Sequence, residues 1–292
     1  MTDESKYKKS VERANPGCLI FLMDMSYSMT DGIAGSPRAK ADALATAINR
    51  FIGDLIIRCE MGDDKPRYYF DIGVIGYTTD RSNPPRAQIG TALHAGLGGR
   101  DLVSVVDLFD NPLDVEDRQK DDGVGGLTTI KFPVWYRTPS PEHMGGTPMR
   151  EALEYVHRVA SAWCDAHPAS FPPVVIHMTD GEATDGDPEP AAEALKRLST
   201  EDGHLLLLNC HLSESQATPV AFPSIEAELS DERAKVLFRM SSELPPKMSA
   251  AAEFNRISLK PGARGMVFNA DGTQMLTLIQ VGTQPASNDN LR

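Results

Sequence analysis

The stretch that decides the fold runs from Cys18 to Met29 and reads Cys-Leu-Ile-Phe-Leu-Met-Asp-Met-Ser-Tyr-Ser-Met. Its first six residues are apolar and are bounded by Pro16-Gly17 and an acid, which predicts a buried central strand of a parallel sheet. The following loop carries one carboxylate and two hydroxyls, on Asp24, Ser26 and Ser28. Loops at the carboxyl ends of strands bind ligands in open α/β sheets. Oxygen ligands gathered there suit Mg²⁺, Mn²⁺ or Ca²⁺ better than zinc or iron.

Two further segments carry matching signals. Gly145-Gly146-Thr147-Pro148-Met149 opens a helix with a regular apolar stripe. Thr147 can be read as the cap of that helix, with Pro148 at the first helical position. A second apolar strand, Val174 to Met178, runs into Thr179-Asp180-Gly181. The three segments together predict a site that gathers hydroxyl and carboxylate oxygens.

Asp-x-Ser-x-Ser, a later threonine in a glycine-rich loop and Thr-Asp-Gly after a strand resemble, in this order, the metal-ion-dependent adhesion site (MIDAS) of the von Willebrand factor A (vWA) family. The resemblance covers roughly residues 16 to 281. It implies a metal site whose ligands are Asp24, Ser26, Ser28, Thr147 and Asp180. It also implies an Mg²⁺ ion, with Mn²⁺ or Ca²⁺ as alternatives, that binds a Glu or Asp of a protein partner.

The form of the threonine loop, Gly-Gly-Thr-Pro-Met, resembles the bacterial TerY-type group of vWA proteins, which is named for tellurite resistance. That resemblance implies a regulatory or stress-response scaffold that works with a protein kinase and a phosphatase. Another role within the vWA family is the partner subunit of a MoxR-type AAA+ ATPase. The sequence leaves both partners open.

Composition and charge narrow the remaining functions. The 292 residues carry a formal net charge of −12, which disfavours nucleic acid and anionic membranes as partners. No apolar run approaches the ~20 residues of a membrane span, and residues 1–10 do not have the pattern of a signal peptide. The four cysteines form no Cys-x-x-Cys pair. They are typical of reduced core cysteines, which predicts a cytoplasmic protein.

Strands alternate with helices along the chain, and this predicts an α/β fold with a doubly wound, mostly parallel central sheet flanked by helices. We expect a single vWA domain over residues 15–283, between a flexible N-terminal arm (1–14) and a flexible tail (284–292). Residues 78–144 are irregular and predict an elaboration near the metal face. Within it, residues 101–109 fit a strand or a short helix equally well.

A metal-dependent hydrolase is the alternative to a binding module, because a metal with an open position can activate water. The sequence contains no phosphate-binding Gly-x-x-x-x-Gly-Lys-Ser/Thr loop and no His-Glu-x-x-His. His177 and His143 are the candidate bases. A histidine within a strand is more often a core residue and a loop histidine is usually incidental, so we expect no catalytic residues and no enzyme activity.

Overall fold

The computed structural model describes residues 6–121, 126–214, 218–254 and 257–283. The strands in these ranges are β1 (Gly17–Asp24), β2 (Phe70–Thr79), β3 (Ala87–Thr91), β4 (Val103–Ser104), β5 (Asp114–Asp121), β6 (Leu127–Val134), β7 (Val174–Thr179), β8 (Ser199–Thr200), β9 (Gly203–His204), β10 (Leu206–Leu212), β11 (Val220–Ala221) and β12 (Met266–Ala270). The helices are α1 (Lys40–Glu60), α2 (Val105–Asp110), α3 (Met149–Ala166), α4 (Glu189–Arg197), α5 (Glu232–Met240), α6 (Pro246–Phe254) and α7 (Gly272–Gly282).

The central sheet has the strand order β11-β12-β10-β7-β1-β2-β3, and β4 also pairs with β2. The inner strands β12, β10, β7, β1 and β2 are parallel, whereas β3, β4 and β11 are antiparallel at the edges. The predicted doubly wound, mostly parallel α/β sheet is therefore confirmed. The order in sequence reverses between β1 and β7, and such a switch point is where open α/β sheets bind ligands.

Helices cover both faces of the sheet because each inner strand is apolar on both sides. On β1, Leu19, Phe21 and Met23 point into one core layer, and Cys18, Ile20 and Leu22 point into the other. The first layer is completed by α1, α2, α6 and α7, and the second by α3, α4 and α5. Because successive side chains of a strand point to opposite faces, β1 contributes to both core layers and lies at the centre of the molecule.

The irregular region 78–144 contains the end of β2, the edge strands β3 and β4, the helix α2, and the hairpin of β5 with β6. Residues 101–109 form both of the structures that their pattern allowed, because β4 ends at Ser104 and α2 begins at Val105. Ser104 and Asp107 make a capping box there. After β6, Asn49 of α1 binds the backbone of Trp135 and Tyr136.

Residues 6–14 pack against the domain, which differs from the flexible arm predicted for residues 1–14. Val11 is fully buried. The backbone N–H groups of Lys8 and Lys9 donate to the buried carboxylate of Asp202 at 2.9 and 3.0 Å. A buried carboxylate is stable only when it accepts hydrogen bonds. These hydrogen bonds hold the polar segment against the domain. The rest of the predicted arm (1–5) and the predicted tail (284–292) lie outside the described residues.

None of the helices in the described ranges is both long enough and apolar enough to cross a membrane.

Candidate metal centre

Asp24 is the last residue of β1 and is 1 % exposed. One carboxylate oxygen accepts the backbone N–H of Ser26 at 2.8 Å, and the other accepts the hydroxyl of Thr179 at 2.7 Å. Thr179 ends the neighbouring strand β7, so the pairing of β1 with β7 brings the two side chains together. Burial and, to a smaller extent, the nearby Asp180 raise the pKa of Asp24 to about 6, against the lowering effect of the hydrogen bonds from Thr179 and Ser26.

The two serines and the second aspartate are in direct contact. Ser28 lies in a short 3-10 helix, Tyr27–Thr30, which turns its hydroxyl toward the end of β7. That hydroxyl donates to Asp180 Oδ1 at 2.8 Å, and the Ser26 hydroxyl lies 3.1 Å from Ser28 Oγ. Since the Ser28 proton is directed at Asp180, Ser26 donates to Ser28. The structure thus connects Ser26, Ser28 and Asp180 in one chain of hydrogen bonds.

The glycine-rich loop before α3 is held by the end of β2. Gly145 N–H donates to Thr78 Oγ1 at 2.8 Å, and Gly146 N–H donates to Thr79 Oγ1 at 2.7 Å. A Cβ on Gly145 would stand 2.3 Å from the backbone oxygen of Thr79, so the loop can lie this close only with glycine at this position. The Gly145 carbonyl accepts the N–H of Tyr27, which ties this loop to the loop after β1.

Of the two interpretations of Thr147, a helix cap or a metal ligand, the cap is wrong. The capping position is Pro148, and the first free N–H groups of the helix, on Arg150 and Glu151, donate to the carboxylate of Asp185 at 3.1 and 2.8 Å. Thr147 is 5 % exposed. Its hydroxyl oxygen lies 3.7 Å from the point where a Cβ on Gly181 would stand, next to the loop that carries Asp180.

Lys40 is a site residue that the sequence analysis missed. It is the first residue of α1 and is 2 % exposed. Its Nζ lies 2.5 Å from Asp180 Oδ2 and 3.4 Å from Oε1 of the exposed Glu214. Buried lysines are rare unless they are paired. The only available sequence signal was a lysine at the start of an amphipathic helix, and this is typical of a solvent-exposed residue.

The donor set fits a hard divalent cation. It consists of two carboxylates and three hydroxyls, and oxygen donors of this kind are preferred by Mg²⁺. Asp180 Oδ2 is buried and accepts no well-directed hydrogen bond, although Lys40 lies beside it. In the part of the chain that the structure describes, His, Cys, Asp and Glu side chains form no group of three or more that could hold a metal. A cation at this site would therefore depend on the serine and threonine oxygens.

The two candidate bases lie in different environments. His177 is fully buried, and its Nδ1 lies 2.9 Å from Asn209 Oδ1 and its Nε2 lies 2.7 Å from Tyr77 Oη. Because the amide oxygen can only accept, Nδ1 carries the proton and Nε2 accepts from the tyrosine. Burial lowers the pKa of His177 to about 4. His143 is exposed, and its nearest charged partner is Glu142 at 3.8 Å.

A groove of about 750 Å³ borders the site. Its walls come from the end of β2, the edge strand β3 and the residues before the glycine-rich loop, and they include Met25, Thr79, Gln88, Ile89 and His143. Met25 directly follows Asp24, so this groove and the candidate metal ligands share one surface at the carboxyl ends of the strands.

No family model and no curated protein matches the sequence. Among solved structures, the pilus adhesin SpaC from Lactobacillus rhamnosus GG is similar with 15 % identity and a TM-score of 0.35, covering 70 % of this chain and 25 % of that one. The human COPII-coat protein Sec24c is similar with 12 % identity and a TM-score of 0.27, covering 68 % and 26 %. The chain therefore spans about a quarter of the length of each, and TM-scores this low establish neither a shared fold nor a function. The sheet described above is itself compatible with a vWA-like fold.

Proposed function

We propose that this chain is a metal-dependent protein-binding module. Asp24, Ser26, Ser28, Thr147 and Asp180 hold Mg²⁺, or Mn²⁺ or Ca²⁺ in its place, and a Glu or Asp of a partner protein completes the coordination. The bound ion supplies a positive centre for that external carboxylate. The chain's own residues position these oxygens.

The observation that carries this proposal is the contact chain Ser26–Ser28–Asp180 at the switch point between β1 and β7, where Asp24 is bridged to β7 by Thr179. Hydroxyl oxygens are neutral ligands, so they leave more of the ion's charge for a partner than carboxylates would. The adjacent groove offers room for the partner's surface.

A binding role is better supported than hydrolysis. Both ring nitrogens of His177 are occupied by Tyr77 and Asn209, so this histidine has no free nitrogen to take a proton from water. His143 is exposed, and the carboxylate beside it, 3.8 Å away, belongs to Glu142 rather than to one of the predicted ligands.

The proposed setting is a cytoplasmic regulatory or stress-response scaffold of the TerY type, which acts with a kinase and a phosphatase. Its support is the Gly-Gly-Thr-Pro-Met loop and the cysteines, all four of which are buried and unpaired, as is usual in cytosolic proteins. A MoxR-type ATPase is the other partner that the resemblance implies, and partner identification separates the two.

The test is Mg²⁺ binding by isothermal titration calorimetry, followed by partner capture from native lysate with Mg²⁺ or with EDTA. Thr147→Val removes one hydroxyl at nearly constant shape. We expect it to weaken Mg²⁺ binding by at least the ~10- to 100-fold that is typical when a residue that only supports a metal ligand is lost. Asp24→Ala should abolish both Mg²⁺ binding and Mg²⁺-dependent capture.

Thr283→Val is the matched control, because Thr283 is also a buried threonine and its hydroxyl donates within α7 to the Ile279 carbonyl. It should leave Mg²⁺ binding unchanged. Equal Mg²⁺ affinity in wild type and Thr147→Val, or the same captured partners with EDTA and Asp24→Ala, would contradict the proposal.

A further inference from the structure

A buried ammonium group stands against one of the two carboxylates of the candidate metal centre. Lys40 Nζ lies 2.5 Å from Asp180 Oδ2, and both side chains are at most 3 % exposed. The backbone N–H of Lys40 donates to the Asp31 carbonyl, so the start of α1 is held to the loop that carries Ser28. Lys40 is therefore held in place both by its backbone hydrogen bond and by the ion pair of its ammonium group.

Asp180 is engaged through both of its oxygens. Ser28 donates to Oδ1, and Lys40 pairs with Oδ2. A divalent cation that approaches this carboxylate meets the positive charge of Lys40 at short range. Because the pair is buried, solvent screens this repulsion much less than at the surface.

The charge balance of the site depends on Lys40. Asp24 and Asp180, when ionised, balance a divalent ion and leave the centre neutral. Lys40 adds one positive charge, which makes the loaded centre cationic. Glu214, the other carboxylate near Lys40, is 61 % exposed, so water screens its opposing charge.

We propose that Lys40 is a built-in counter-cation of this site. It competes with the divalent ion for Asp180 and so lowers the affinity for metal, and it gives the loaded site a net positive charge that strengthens binding of an external carboxylate. This inference rests on the proposed function, and it adds that metal binding is kept weak and carboxylate binding is kept strong by the same residue.

The first measurement is the Mg²⁺ affinity of the 292-residue chain, titrated calorimetrically for wild type, Lys40→Met and Lys40→Arg. We expect Lys40→Met to bind Mg²⁺ about ten-fold or more tightly, because a unit charge a few ångströms away has been removed. Lys40→Arg keeps the charge and should stay within about three-fold of wild type. Lys196→Met is the matched control, since Lys196 is a half-buried lysine of α4 paired with Glu193 at 2.6 Å.

The second measurement uses Mn²⁺ as the ion and acetate as the probe carboxylate. Displacement of Mn²⁺-bound water by acetate is followed by water-proton relaxation. Acetate should bind more weakly to Mn²⁺-loaded Lys40→Met than to the loaded wild type. A purely structural lysine would not tighten metal binding and weaken acetate binding in the same variant.

The outcomes separate the two proposals. If wild type and Lys40→Met bind Mg²⁺ equally, the role of Lys40 is overturned and the metal-dependent module stands. If neither protein binds Mg²⁺, both proposals are overturned. Binding by Lys40→Met alone supports the competition, because the lysine then lowers the wild-type affinity below detection. Lys40→Gln replaces Lys40→Met in every comparison if circular dichroism shows that the methionine variant does not fold.

Discussion

His177 shows how a buried titratable residue is satisfied in this protein. Tyr77, His177 and Asn209 lie on the adjacent or nearby strands β2, β7 and β10, and Asn209 continues the chain of hydrogen bonds to Ser241 Oγ at 2.9 Å. Each polar group meets a partner, so the histidine can stay neutral in the core. The same arrangement makes the stability of the protein sensitive to acid.

His177→Gln should reduce the loss of stability on acidification. The pKa of His177 is about 4 in the folded protein, against an ordinary value of 6.5, because burial disfavours the charged form. Between these values the unfolded chain binds the extra proton, so stability is lost as pH falls from 6.5 toward 4. This one residue contributes about 3 kcal/mol to that loss by pH 4.

The measurement is the free energy of unfolding in urea at several pH values from 7 to 4, without added metal. His177→Gln is less stable at pH 7, since it loses hydrogen bonds, and its curve should then be flatter than that of wild type. Burial also lowers the pKa of His211 to about 4, so His211 likewise reduces stability as the pH falls. Asp24, with its pKa raised to about 6, has the opposite effect on stability. Both remain in the variant, so parallel curves would refute the assignment to His177.

At the level of elements, the loops of the site depend on one another. The loop after β7 supplies the cap of α3 through Asp185, and its Thr184 exchanges hydrogen bonds with the backbone of Thr147 in both directions. A negative charge at a helix N-terminus is also favoured by the helix dipole. The position of Thr147 is therefore set by residues on the loop that follows Asp180.

Asp185→Ala should lower both stability and metal affinity. Loss of a helix cap costs about 1 kcal/mol, and it also removes the hydrogen bonds that hold the start of α3, directly after Thr147, against the loop after β7. We expect the midpoint of urea unfolding to fall and Mg²⁺ binding to weaken.

Asp231→Ala is the comparison, because Asp231 caps α5 by accepting from Arg233 and Ala234 and takes no part in the threonine loop. Asp231→Ala should lower the free energy of unfolding by a similar amount and leave the Mg²⁺ affinity unchanged. If the two variants affect Mg²⁺ binding equally, Asp185 is no more than a helix cap.

The predicted elements were most accurate where the apolar pattern was strong. The strands that carry Asp24 and Thr179 have the expected positions. The pattern was ambiguous over residues 101–109, because a two-residue strand and a six-residue helix are each too short to show a period. Residues 6–14 pack against the domain because Asp202, far along the chain, accepts hydrogen bonds from the backbone of Lys8 and Lys9.

At the scale of the whole molecule, the reactivity of the cysteine thiols measures global unfolding. Cys18, Cys59, Cys164 and Cys210 are all buried, on both faces of the sheet. Burial raises the pKa of Cys164 to about 11 and of Cys59 and Cys210 to about 12, so little thiolate forms near neutral pH.

The native protein should therefore react very slowly with the thiol reagent DTNB at pH 8, and all four cysteines should react at once in 6 M guanidinium chloride. The absorbance of the released thionitrobenzoate measures both rates. Fast reaction of one thiol without denaturant would show that a part of the molecule opens far more easily than the packing indicates.

By itself the sequence determined the α/β class and the doubly wound sheet, because runs of apolar residues ending in turn signals can be buried only as central strands between helices. The resemblance to the vWA family named Asp24, Ser26, Ser28, Thr147 and Asp180, and the strand pattern explains why the loops after β1 and β7 meet at one edge of the parallel sheet. Their binding of a cation stays a prediction.

Only the tertiary structure decided what surrounds these residues. Lys40 meets Asp180, and Asp185 caps α3, through contacts between segments that are far apart in the chain. Neither contact leaves a local pattern, because a lysine at a helix start and an acid in a polar loop look like ordinary surface residues in the sequence. Burial also set the pKa values of Asp24 and His177, since the cost of desolvating a charge depends on the whole fold around it.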